Sequence, residues 1–313
     1  MTTEAARQFT ASRRDRLDRL IAEALPELSR SQAQRLIERG HVQVAGVEAT
    51  RAALFVEPDT NIEVTLPHNE IDEAAAMVPI EILYEDEHVL VVNKPAGILV
   101  HGVPGVPGLS IVDVMRARHP EARDLREGDY RAGVVHRLDR DTTGVLAYAK
   151  TDIARDTLKD QWRARETEKQ YVAIVEGRVE PVAGIVDAEI GPDPNDGRRR
   201  AVVESGENAY SEYRVREQYG VDHALLDVSI RTGRTHQIRV HLEAIGYPVM
   251  GDSLYGRRSE YIGRQALHAA RLGFRLPSTG EYRAFEAPIP QDMQRVIDTL
   301  RSQYPDHSKG PQQ

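Results

Sequence analysis

The chain has 313 residues, 40% of them hydrophobic and 29% charged, which excludes wholesale disorder and suits one large domain with a small one. It contains no cysteine, which excludes a disulfide scaffold, a thiolate metal site and a cysteine nucleophile. The formal net charge of −8 argues against a nucleic-acid partner unless basic residues are concentrated locally.

The N-terminal stretch MTTEAARQFTASRRDR lacks the apolar core of a secretory signal, and no apolar run approaches the ~18–20 residues that span a bilayer. A soluble cytoplasmic protein is expected. Leu17, Leu20, Ile21, Ala24 and Leu25 recur at helical spacing and predict a first amphipathic helix. Ser29 or Ser31 can cap a second, through Ala33, Leu36 and Ile37 to a left-handed stop at Gly40. HVQVAGVEA, turning at Ala45-Gly46, and NIEVTL then alternate as short strands. The polar faces of the two helices and the segment before them carry Arg13, Arg14, Arg16, Arg19, Arg30, Arg35 and Arg39. Mixed-sign charge of this kind often serves only solvation.

Residues 68–79 show no strand pattern and are expected to be a linker. From Pro79 the pattern is strand-rich: two strands in EILYEDEHVLVVNKP, then GVVHRL, GVLAYAK, QYVAIVEG, GIVDAEI, RAVVE, AYSEYRVREQY, HALLDVSI, QALHAARLGF and EYRAFEAP. Helices are predicted over 110–118, 152–165, 235–245 and 290–303. The fold class is α+β, too irregular for a βαβ repeat. The tail PDHSKGPQQ is expected to be disordered.

Two stretches carry chemistry. HRLDRDTTG (136–144) crowds Asp139 and Asp141 with two arginines beside a turn, although turn chemistry and local ion pairing would also account for it. RTGRTHQIRVHLEAIG (231–246) opens on a glycine turn and continues as a helix, with Arg239 and Glu243 on one face. His236 and His241 are five apart and do not share a helical face, so no metal site is expected. GVPGVPG (102–108) lacks the Lys-Ser/Thr ending of a phosphate loop. GDSLYG (251–256) reads as a turn with an exposed tyrosine, and Tyr171 as a strand residue that could simply pack in the core.

Taken together, HRLDRDTTG, KQYVA, RTGRTHQIRVHL, GDSLYG and RQALHA resemble the motif set of the RluA/RluD family of RNA pseudouridine synthases, in order over roughly residues 80–290. NKPAGILVH (93–101) fits the family's opening, and the N-terminal unit resembles an S4 RNA-binding domain, as in the large-subunit rRNA branch. The resemblance implies an S4-like domain over 1–70, a linker over 71–79, a catalytic domain of mixed or antiparallel sheet with flanking helices over 80–303, and a tail over 304–313. It makes Asp139 the catalytic aspartate, and Arg137 the residue that fills the gap left by a flipped nucleotide. It makes Tyr171 the ring that stacks on the target base, and Arg239 the partner of the carboxylate. Arg13, Arg14, Arg16, Arg30, Arg35 and Arg39 become candidates for phosphate contacts. The implied reaction isomerises uridine, most closely in 23S rRNA, without cofactor or metal, in a chain expected to be monomeric.

In that reaction the N1–C1′ bond breaks, the uracil turns and a C5–C1′ bond forms. The family's aspartate attacks the base, attacks C1′ or removes the C2′ proton, and these roles stay open at this point. Each needs a charged carboxylate, whose desolvation a guanidinium offering two parallel donors would offset. Extruding the base costs a few kcal/mol, and stacking on an aromatic ring returns about 1–3 kcal/mol. Leu138 is expected to anchor the loop in the core. Competing readings are a non-catalytic S4-type assembly factor, a synthase acting on tRNA, and a hydrolase using Asp139 with Asp141.

Overall fold

The computed structural model describes residues 5–26, 28, 30–66, 71–102, 108–119, 125, 131–305 and 308–309. It divides into two units, Met1–Val78 with His101–Ala132, and Pro79–Val100 with Gly133–Gln313.

The first unit opens with β1 (Ala5–Thr10), β2 (Asp15–Arg16), α1 (Leu17–Ala24) and α2 (Arg30–Glu38). Strands β3 (Val42–Val44), β4 (Val47–Glu48), β5 (Phe55–Val56) and β6 (Asn61–Leu66) follow. Four of these strands pair in the order β1-β6-β3-β4, and β2 pairs with β5. Leu17, Leu20 and Ile21 of α1 meet Ala33 and Ile37 of α2 over Ile62 and Val64. Burying each such Leu or Ile stabilises the unit by about 1.5–3 kcal/mol. Gly40 does take a left-handed φ of 76° after α2. Ser29 and the side chains of Ser31 and Arg35 lie outside the described residues, so the predicted cap has no structural account.

A buried carboxylate joins the two helices. Asp18, fully enclosed in α1, accepts Arg16 Nε at 3.0 Å, Arg30 Nε at 2.9 Å and Gln34 Nε2 at 2.7 Å. Burial alone would raise its pKa, but these donors hold it down at about 2. Part of the arginine-rich face therefore serves the fold. Arg13 is likewise held by Asp15 and Glu23, and Arg14 by Glu57. Arg39 is exposed, with no ion pair among the described residues.

Within the expected linker, α3 (Ile71–Ala76) is helical and packs with α4 (Ile111–Arg118). Arg118 closes this pair by donating to the carbonyls of Ala76 and Val78. Ser110 and Asp113 cap α4 reciprocally.

The second unit contains β7 (Glu81–Glu85), β8 (Val89–Lys94), β9 (Thr143–Ala149), α5 (Asp152–Ala164), β10 (Glu168–Glu176) and β11 (Ala183–Asp187). It continues with β12 (Ile190–Pro192), β13 (Arg200–Val202), β14 (Tyr210–Tyr219), β15 (His223–Ile230) and α6 (Gln237–Ala244). The last elements are β16 (Leu267–Arg275), β17 (Tyr282–Glu286), α7 (Gln291–Gln303) and β18 (Ser308–Lys309). The main path of the sheet is β11-β14-β15-β10-β16-β9-β8-β7, with β17 beside β16 and β18 beside β14. Ser308 and Lys309 thus pair with β14, inside the tail expected to be disordered.

Nearly every predicted strand and helix of this unit is present, but GVVHRL is not a strand. It runs alongside β9 with a single bridge, Val134 to Tyr148. The Ala147 N–H is bound instead by a side chain, His136 Nε2, at 2.9 Å. Burial pushes the His136 pKa down to about 3, keeping the ring neutral and able to accept. A side chain has replaced the strand ladder, which frees the next residues to form a loop.

Two apolar clusters flank the central strands. One packs α6 and α7 on β10, β14 and β15; the other packs α5 on β8, β9 and β16. They share a parallel seam, in which His268 and Ala269 of β16 face Thr143 and Gly144 of β9. Gly144 has φ of 117°, and a Cβ there would overlap the Ala269 carbonyl. Gly144→Ala should therefore destabilise the protein by about 2–4 kcal/mol, combining backbone strain with overpacking. A lowered urea midpoint with unchanged slope would show it; a midpoint equal to wild type would exclude the seam as a constraint.

Candidate active site

The seam delivers the HRLDRDTTG loop to one end of the strands. Leu138 is buried there, as expected. Thr142 N–H donates to Asp139 O at 3.2 Å, and Gly97 N–H to Arg140 O at 3.1 Å. Beneath the turn lies the Lys94 ammonium, fully buried, donating to the carbonyls of Pro95 (2.9 Å), Ile98 (2.9 Å) and Arg140 (2.8 Å). Burial pushes its pKa down to about 7, while Asp141 and Asp139 resist the shift. The three carbonyls use all three donors of the charged form. From the other side Arg264 donates to Asp141 O at 3.0 Å and is itself fixed by Asp292.

The second wall is the turn before α6. Gln237 there uses its whole amide: Oε1 accepts from Thr232 Oγ1 and Arg234 N–H, and Nε2 donates to Tyr210 O and Ser211 Oγ. This fixes the start of α6. His236, the residue before it, takes a left-handed backbone with φ of 61°. One turn on, Arg239 reaches across to the loop.

Arg239 NH1 donates to Asp139 Oδ2 at 2.8 Å. Its other edge grips Asp252, Nε to Oδ2 at 2.6 Å and NH2 to Oδ1 at 2.9 Å. The two-donor contact expected toward Asp139 is thus made to Asp252, and Asp139 receives one hydrogen bond. The geometry explains the division: a guanidinium fork fits one carboxylate edge-on and leaves an outer N–H for another. Asp252 Oδ1 also accepts the N–H groups of Leu254 and Tyr255. Burial would raise the Asp252 pKa, but Arg239 and these backbone donors hold it below the ordinary value. Burial likewise opposes the Arg239 charge, and Asp252 and Asp139 outweigh it, so its pKa is raised.

Asp139, Arg239, Tyr171 and Arg137 line one cleft, with Gly233, Thr235 and His236 among its other walls. The Asp139 side chain is 16% exposed and so reachable from the cleft. Tyr171 is half-buried on β10; burial, and then the Asp139 charge, push its hydroxyl pKa up, keeping the ring neutral. Arg137 is exposed at the rim, with no ion pair among the described residues. Asp141 does not line the cleft, which removes the geometric basis for an acid–base pair with Asp139. Glu243 pairs with Arg199, not with Arg239.

The tyrosine of GDSLYG, expected to be exposed, is buried. The Tyr255 hydroxyl accepts Arg200 N–H at 2.7 Å, and its ring lies under the Arg199 and Arg239 guanidinium groups at 4.9 Å each. The hydroxyl partner and the stacked cations account for its burial. Asp252, Lys94, Gln237 and His236 carried no role in the sequence reading. All four lie in motifs that mark the resemblance, and His236 was weighed there only as a metal ligand.

This arrangement is a carboxylate anchored by arginine, facing an aromatic ring and a guanidinium without an ion pair among the described residues. Residues 88–244 match the RNA pseudouridylate synthase family, and residues 15–62 match the S4 domain. The chain belongs to the RNA pseudouridylate synthase family. Within the family it is 46% identical over 298 residues to an RNA pseudouridine synthase of Chloroflexus aurantiacus, covering 92% of this chain and 90% of the relative. It is 39% identical to the ribosomal large subunit pseudouridine synthase D of Nitrosomonas europaea, over 92% of this chain and 85% of that one. Among solved structures, human RNA pseudouridylate synthase domain containing 4 is similar, with TM-score 0.57 and 26% identity over 74% of this chain and 97% of its own.

Without the Asp252 charge the buried Arg239 keeps only its single contact to Asp139, so Asp252→Asn should cost up to about 3–5 kcal/mol of stability and reduce turnover as well. Because the folded pKa of Asp252 is depressed, its contribution is present above the ordinary 3.8 and lost as pH falls through the lower folded value. The melting-temperature gap between wild type and variant should accordingly narrow below about pH 4. A gap independent of pH would contradict this account.

Proposed function

We propose that this cleft isomerises uridine in RNA to pseudouridine, with Asp139 as the catalytic carboxylate and large-subunit rRNA as the substrate. The observation that carries the reading is the Asp139 carboxylate, held 2.8 Å from Arg239 and open to a cleft that Tyr171 and Arg137 also line. Several relatives bear the name ribosomal large subunit pseudouridine synthase D, which supports rRNA over tRNA. Among the described residues no helix is long and apolar enough to cross a membrane, and a monomeric cytoplasmic enzyme suits this reading.

Uridine must leave its stack to reach Asp139. Arg137, two residues away at the rim, occupies the vacated space, and the Tyr171 face receives the uracil. Asp139 then works beside the sugar as nucleophile or base. The N1–C1′ bond breaks, the ring turns, C5 bonds to C1′, the C5 proton leaves to water, and N1 takes up a proton from water in exchange. No electron is gained or lost overall. The fixed positive charge of Arg239 offsets the desolvation of the carboxylate as the base covers it.

Transcripts tritiated at uridine C5 test this. The wild type should release tritium without strand scission, and Asp139→Asn should release less than a few per cent of that while retaining fold and RNA affinity. Intact label with tight binding by the wild type would make the protein an assembly factor instead.

The N-terminal unit supplies phosphate contacts in this reading, but its arginines are unequal. Each lost contact flattens the slope of log affinity against log salt by roughly 0.7–0.9. Arg39→Gln should show that change, whereas Arg13→Gln, already neutralised by Asp15 and Glu23, should leave the slope nearly unchanged. Equal slopes for wild type and Arg39→Gln would remove Arg39 from the RNA surface.

A further inference from the structure

His236 stands in the cleft wall, and no step above uses it. Its Nδ1 lies 2.8 Å from the Tyr255 hydroxyl, and the two rings meet edge to face at 5.5 Å and 77°. Its Nε2 lies 4.0 Å from Asp139 Oδ1, the carboxylate oxygen that Arg239 leaves open.

The partners of the Tyr255 hydroxyl argue for one imidazole tautomer. The Tyr255 hydroxyl already accepts the Arg200 N–H at 2.7 Å. A phenol has one proton to give, and among the described residues its acceptor is His236 Nδ1. With Nδ1 accepting, a neutral ring carries its proton on Nε2, the nitrogen nearer Asp139. Burial favours the neutral ring; Asp139 and Asp252 pull the other way, while Arg239 and Arg137 reinforce burial, and the balance lies below the ordinary histidine pKa.

We propose that His236 is a positioning residue whose Nε2–H becomes the second hydrogen-bond donor to Asp139, closing onto Oδ1 when uridine fills the cleft. Arg239 then holds Oδ2 and His236 holds Oδ1. One donor leaves the carboxylate free to rotate about its last bond; two donors from separate directions fix its plane, so that a chosen lone pair faces the sugar. Such contacts are commonly long in an unliganded site and shorten in the substrate complex. The left-handed backbone of His236 fits the role, since it turns the ring back over the start of α6 toward the loop. Tyr255 is the support, anchored by the backbone of β13 and packed under Arg239.

The proposal rests on the reading of Asp139 as the working carboxylate, and the test separates the two. In the full chain labelled with nitrogen-15 at histidine, two-bond proton–nitrogen correlations report the tautomer without any substrate. The His236 signals, identified by their loss in His236→Asn, should show a protonated Nε2 and a bare Nδ1. A proton on Nδ1 would overturn the proposal. His236→Asn tolerates the left-handed backbone and still offers Tyr255 an acceptor, but it ends short of Asp139. His236→Gln can bring an amide N–H to the place of Nε2. The Asn variant should lose roughly tenfold to a hundredfold in kcat, the scale of a misplaced reacting group, with KM and melting temperature near wild type. The Gln variant should recover most of the loss. Unchanged kcat in the Asn variant, or equal losses in both variants with KM rising alongside, would overturn it. A wild type that releases no tritium from any transcript would strike the uridine reading, and the tautomer spectrum would still decide for or against the Nε2 proton.

Discussion

A single guanidinium shared between two carboxylates governs this site. Arg239 is almost fully buried, and a buried cation without a partner would cost several kcal/mol. Asp252 meets that need with a two-point contact, which leaves the outer N–H of Arg239 aimed at Asp139. The order of dependence matters. Asp252 is a structural anion, tied to its own turn by two backbone N–H groups; Asp139 is the accessible one. The arginine can thus remain in place whatever happens to the charge or position of Asp139 in the proposed reaction. An arginine held by Asp139 alone would move with it.

The loop carrying Asp139 is fixed by equally local means. Lys94 gathers three carbonyls under the turn, Arg264 takes a fourth, and Gly144 lets β9 approach β16 as no other residue could. None of these groups faces the cleft. They make the loop rigid, so that positioning costs little when RNA arrives. In the proposed reaction, binding energy can then go to extruding the base.

Much of this was legible in the sequence because period and turn chemistry are local. The helices at 152–164 and 291–303 and the strands from Tyr210 to Ile230 follow their apolar spacing closely. GVVHRL misled because its spacing is that of a strand, while a histidine side chain took the place of the ladder. Asp139 and Arg239 stood out through motifs. Asp252 did not, because an aspartate in a Gly-Asp-Ser turn is ordinary turn chemistry, and only the fold brings it to Arg239. Tyr255 misled for the same reason: a tyrosine in a turn is usually exposed, and nothing local announces the stacked arginines. In the N-terminal unit, counting arginines overstated the free positive charge, since Asp18, Asp15, Glu23 and Glu57 neutralise much of it.

The parallel seam also bears on the order of assembly. Thr143 Oγ1 meets His268 Nδ1 across 125 residues of chain, and Asp139 meets Arg239 across 100. Contacts this distant form late, after the loop-closure entropy has been offset by other structure. On the ribosome, where chains emerge from the N-terminus, the S4 segment is complete long before β16 exists. For that interval the nascent protein holds a complete S4 segment and no cleft. The contact of Asp139 with Arg239 waits for residue 239, and the pairing of β9 with β16 waits for residue 269.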